Sequence, residues 1–145
     1  MPTLITPPSE PSYIFDNLRL GTIWNAKNLI LKNPGYGLVL NCSTEAVRVP
    51  RGVCSFQLGL APAGLVPFEK MRFAVKALHG FFQDWRGRSA LVCCLDAVSL
   101  SPAIVLAYLM ASGMCFEEAT ETLIERHRAT DISPAILESV LTCFG

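Results

Sequence analysis

The chain has 145 residues, 12 Lys and Arg against 12 Asp and Glu, and an apolar share of 51%. That length suits one domain able to bury roughly two thirds of its surface, and that composition excludes a disordered chain. Charge balance removes the electrostatic reason to expect nucleic acid or an anionic membrane as a direct partner, without excluding nucleic-acid contact inside a larger complex.

Residues 1–11 begin "MPTLITPPSE". They are Pro-rich and lack Arg, so they read as an extended arm rather than a transit helix. From residue 12 to 145 the pattern is that of a single domain. "SYIFDNLRLG" alternates enough for an early strand or strand pair closed by Gly21. "TIWNAKNLILKN" spaces Ile23, Ala26, Leu29 and Ile30 as a helix does, and Asn33-Pro34-Gly35 stops it. "YGLVLNC", Tyr36 to Cys42, reads as a buried strand. "AVRVP" and "VCSFQLGL" are each strand-like, and residues 59–67 form a Gly/Pro loop.

Phe68 to Trp85 puts Met71, Val75, Leu78, Phe81 and Phe82 on one helical face. Phe73, Phe81 and Phe82 are expected in the core. "RGRS" is a turn, and "ALVCC" is a buried strand. "SPAIVLAYLMASG" is an apolar helix, with Ser99 or Ser101 to cap it, Pro102 in its first turn and Gly113 ending it. "CFEEATETLIERHRAT" is an amphipathic helix whose Arg126, His127 and Arg128 complement the dipole at its end. "SPAILESVLTCFG" is a last helix. His79 reads as a surface residue near a helix end. Arg86 and Arg88 read as a solvated turn that, with Arg48 and Arg51, would give a small basic face. Strands alternating with helices predict an α/β class with a central, largely parallel sheet flanked by helices.

Six cysteines are present and two histidines. No pair is spaced C-x-x-C, so no metal site and no cofactor are expected. Apolar neighbours predict free, buried thiols, and the absence of a signal-peptide pattern predicts a reducing intracellular compartment. No apolar run reaches membrane-spanning length.

Several stretches together resemble the dual-specificity branch of the cysteine-dependent protein phosphatases. "FDNLRLGTIWNAKNL" is similar to that family's opening strand and helix, and "GLVLNC" to its second strand. "SPAIVLAYLM" and "EEATETLIERHRATDISPAILESVL" are similar to its closing helices. The resemblance covers nearly all of residues 12–145 in order, and it implies the family's fold.

Against the family signature HCxxGxxRS, the resemblance places Cys94 at the nucleophile. Cys93 stands for the histidine, Ala97 for the glycine and Leu100 for the arginine. Ser99, Ser101 and Pro102 remain. The loop Cys93, Cys94, Leu95, Asp96, Ala97, Val98, Ser99, Leu100, Ser101 is therefore a degenerate phosphate cradle. The family's general acid is an aspartate whose position falls near Gly59, yet residues 46–68 contain neither Asp nor Glu.

The family's chemistry needs donors around three phosphoryl oxygens. Loop N–H groups and a helix N-terminus supply some, but the charged bidentate guanidinium has no backbone substitute. Losing one preorganised charge stabiliser costs roughly 10²–10³ in rate, and losing the general acid costs about 10²–10⁴. Asp96 adds a negative charge beside the pocket. It either points outward or turns inward and takes loop N–H groups itself. A core cysteine at a strand end is the plainer reading of Cys94. The expectation is a pseudophosphatase, not an enzyme, that associates with protein partners as a scaffold or a subunit of a larger assembly. A phospho-residue or anion reader and a different cysteine enzyme using Cys94 are the alternatives.

Overall fold

A computed structural model gives the fold and describes residues 10–32, 35–61, 64–84 and 87–145. The expectations for residues 1–9, for Asn33-Pro34, for Trp85 and for Arg86 lie outside the described residues.

Among the described residues ten elements follow one another: β1 (Ser12–Phe15), β2 (Leu18–Thr22), α1 (Ile23–Lys32), β3 (Tyr36–Asn41), β4 (Cys54–Gln57), α2 (Phe68–Gln83), β5 (Ser89–Cys94), α3 (Leu100–Ala111), α4 (Phe116–Arg126) and α5 (Pro134–Phe144). The sheet order is β1-β2-β5-β3-β4. β1 runs antiparallel to β2, and β2, β5, β3 and β4 are mutually parallel. The expected α/β class with a largely parallel central sheet is the architecture observed.

β2 passes into α1 without a loop. Thr22 and Asn25 make that possible by bonding each other's backbone reciprocally: the Thr22 N–H donates to Asn25 Oδ1 at 2.8 Å, and the Asn25 N–H donates to Thr22 Oγ1 at 3.2 Å. This is a capping box. It also explains Gly21, because a Cβ there would run into the Asn25 side-chain oxygen.

The two faces of the sheet bury unequal cores. Ala90, Val92 and Cys94 of β5 face the large core, where α3 is buried nearly all round. Leu91 and Cys93 face a smaller core with Ile23, Ala26, Tyr36 and Val39. The two-residue period of a strand imposes this sorting, and it turns the adjacent cysteines to opposite sides.

Several expectations need correction. "AVRVP" forms no strand. Its alternating Val47 and Val49 pack on the smaller core with Val53, so the alternation reflects one-sided burial without a hydrogen-bonded ladder. Phe73 is not core. It lies about half a turn around α2 from Phe82, is 44% exposed, and meets Phe56 edge-on at 5.0 Å between centroids. Cys54 and Cys115 are exposed rather than buried. The first lies on the edge strand β4 and the second just before α4. Gly113 does close α3, where the Met114 N–H reaches the Leu109 carbonyl at 3.1 Å.

Candidate functional site

Cys94 ends β5 at the centre of the sheet, and the loop 95–99 leads directly into α3. This brings a thiol to the N-terminus of a buried helix. Sγ lies 3.0 Å from the Ser101 hydroxyl and accepts from the Ser101 N–H at 3.4 Å. Ser101 therefore faces the thiol from inside the first turn of α3. The expected cap is absent. Ser99 occupies the N-cap position without a side-chain cap bond, and its Oγ instead accepts from the Ser133 N–H at 2.9 Å.

Asp96 takes the inward alternative. Its Oδ1 accepts from the Val98 N–H at 3.1 Å and lies 3.9 Å from Cys94 Sγ. One loop donor is thus occupied by the chain's own carboxylate.

Ala97 has a positive φ of 57°. This is the left-handed region that a glycine enters freely and an alanine enters at a cost of roughly 1–2 kcal/mol. Three contacts from the segment after α4 hold the loop there. His127 Nε2 bonds the Ala97 carbonyl at 2.6 Å, the Asp131 N–H donates to the Val98 carbonyl at 2.8 Å, and Ser133 binds Ser99.

His127 corrects the sequence reading most sharply. It is the C-cap of α4 and is buried there, its ring turned to partners on other elements. Its Nδ1 meets Ser12 Oγ at 2.6 Å, so one ring ties β1 to the loop. The partners are 30 and 115 residues away in sequence, and no local signal marks them.

A cavity of about 130 Å³ opens beside Cys94, with Leu60, Leu95, Val98 and Leu100 supplying its apolar wall. Its charged lining residues are two carboxylates, Asp96 and Glu45. Glu45 is held by Lys27 at 2.9 Å. Its turn is ordered by Asn41, whose Nδ2 donates to the Glu45 carbonyl at 2.6 Å. Leu100 packs into the large core. Gly59, where the acid is expected, sits at φ 63° in the segment between β4 and α2, next to Leu60 of the cavity wall.

Cys93 takes no part in the cavity. It belongs to the other face of the sheet, and burial pushes its thiol up to about 12. Burial likewise raises Cys42 well above the usual thiol range, with Cys94 and Cys93 adding smaller effects. Among the described residues no group of three or more His, Cys, Asp or Glu could hold a metal ion. None of their helices is long and apolar enough to cross a membrane.

No protein-family model matches the chain. It is 31% identical over 137 residues to the protein-tyrosine-phosphatase IBR5 of Arabidopsis thaliana, a match covering 92% of this chain and 49% of the relative. The chain thus spans about half the length of that relative. In fold it is similar to human DUSP28, with a TM-score of 0.82 at 18% identity, covering 96% of this chain and 95% of that one. It is also similar to the human tyrosine phosphatase-like serine/threonine/tyrosine-interacting protein, with a TM-score of 0.77 at 20% identity, covering 92% and 94%.

Proposed function

We propose that this chain, which belongs to the dual-specificity phosphatase family, keeps the family's fold without its turnover and serves as a protein-interaction subunit of a larger assembly. One observation carries the reading. Where the family resemblance expects a guanidinium, Leu100 packs an apolar side chain into the core at 6% exposure.

Two further observations support it. The charged side chains around the thiol are carboxylates, and Asp96 occupies the Val98 N–H that a phosphoryl oxygen would need. A dianion entering this cavity would meet repulsion where the chemistry requires a fixed positive charge. The interaction role rests on elimination and on the apolar composition. The fold shared with a human protein described as phosphatase-like and interacting adds weight.

The test is hydrolysis of an aryl phosphate by the purified chain beside its Cys94→Ser variant. The proposal expects indistinguishable traces. Turnover abolished by the substitution would sink it. A reader of phosphorylated residues is the second reading. It is favoured by the Ser101 N–H at the helix start, still directed to the position of Cys94 Sγ. Saturable binding of a phosphopeptide at the loop would select it.

A further inference from the structure

A second cavity lies far from Cys94. It is an open groove of about 620 Å³ at the other end of β5, lined in part by Tyr13, Asp16, Arg19, Ser89 and Arg126. Cys94 is five steps along β5 from Ser89, which is roughly 16 Å along the strand.

Arg19 on β2 is built into this groove. Its guanidinium lies 4.0 Å from the Tyr13 ring centroid and 5.0 Å from that of Tyr36. Nη1 donates to Tyr36 Oη at 2.8 Å, while Nη2 reaches the Asp16 carbonyl only at a long 3.5 Å. The buried Nε has no acceptor among the described residues. A guanidinium has five N–H donors, and a buried one left unmatched calls for an explanation. Two aromatic rings fix the plane of the group, so little side-chain entropy is lost when an anion arrives. Arg126, at the end of α4, adds a second cation to the groove wall.

Two carboxylates are close. Asp16 lies on the rim, and Glu10 is near enough for its charge to act on Tyr36. Neither forms an ion pair with Arg19 among the described residues. The groove is the size of a site for several side chains, and Tyr13 and Phe15 beside it are 46% and 44% exposed.

We infer that this groove is a docking site for an acidic peptide segment of a protein partner, with a carboxylate received by Arg19 and Arg126 and apolar stems laid against Tyr13 and Phe15. The site is independent of the chemistry at Cys94, so its failure and that of the proposed function are separate outcomes.

The test is fluorescence anisotropy of a labelled hexaglutamate peptide with the whole chain, at low and at physiological salt, with hexalysine as control. Saturable binding of hexaglutamate alone is expected, weakening as salt rises. Arg126→Glu, an exposed change that the fold tolerates, should weaken it at least about fivefold. Arg19→Gln should abolish it, with circular dichroism checking the fold, whereas Cys94→Ser should leave it unchanged. No saturation, equal binding of hexalysine, unchanged binding by Arg126→Glu, or amide NMR shifts centred on residues 94–101 would each overturn the inference.

Discussion

His127 and Ala97 are joined by a hydrogen bond of 2.6 Å between ring Nε2 and backbone carbonyl, and that bond secures the one non-glycine residue with positive φ among the described residues. A carbonyl only accepts, so Nε2 carries the proton. In the neutral ring, Nδ1 then accepts from the Ser12 hydroxyl. The loop's conformation is thus maintained by a side chain from the far end of α4. Removing it should be felt as instability. His127→Ala leaves the Ala97 carbonyl and the Ser12 hydroxyl without their partner, and should cost about 2 kcal/mol in urea unfolding. A midpoint within error of the parent would refute this role.

The same backbone angle predicts an asymmetric response at Ala97. Ala97→Gly relieves the left-handed strain but loosens the unfolded chain, so the variant should lie between unchanged and about 1 kcal/mol more stable. Ala97→Val adds a β-branched side chain at φ 57° and should lose more than about 1 kcal/mol. Thermal melts of the two variants give the comparison, and the reverse order would contradict the geometry.

Restoring a guanidinium alone should not restore anion binding. Leu100→Arg inserts a charge into a buried site while Asp96 still holds the Val98 N–H at 3.1 Å. It should destabilise by about 2–3 kcal/mol without binding orthovanadate. Combined with Asp96→Ala and Ala97→Gly, the same change frees the loop N–H groups and supplies the missing charge. Vanadate binding by calorimetry is then expected. Binding by the parent chain would show that the cradle never lost its function.

Alkaline pH offers an independent check of the buried thiols. The Cys93 thiol rises from 9.0 to about 12 on folding, and Cys42 rises as well. Between those values the unfolded chain has released a proton that the folded chain retains. Stability is therefore intact below pH 9.0 and falls as pH climbs toward about 12, by up to about 1.4 kcal/mol per pH unit for each thiol. Urea midpoints at pH 8, 9 and 10 should show the decline beginning, and Cys93→Ala should make it shallower while the Cys42 share remains. A parent curve flat across that span would place these thiols in contact with water.

Much of this protein is written locally. The helices and the buried strands followed from apolar spacing, because each element's period is set by its own backbone. That Leu100 and Ala97 stand where the family resemblance expects an arginine and a glycine was legible because the loop is contiguous in sequence. Asp96 was legible as a charge beside the pocket, but its two orientations were not separable until the loop geometry showed its bond to Val98. Ser99 and Ser101 read as caps, and the fold gave one to Ser133 and the other to Cys94. Cys93 and Cys94 are adjacent in sequence, and the pleat of β5 parted them. The His127 bridge and the Arg19 groove have no sequence signature. They arise where β1, β2, β5 and α4 converge, and such contacts exist only once the chain has closed its long loops. Spacing along a chain fixes which face a residue takes, whereas its partner on another element is fixed by the packing of the whole.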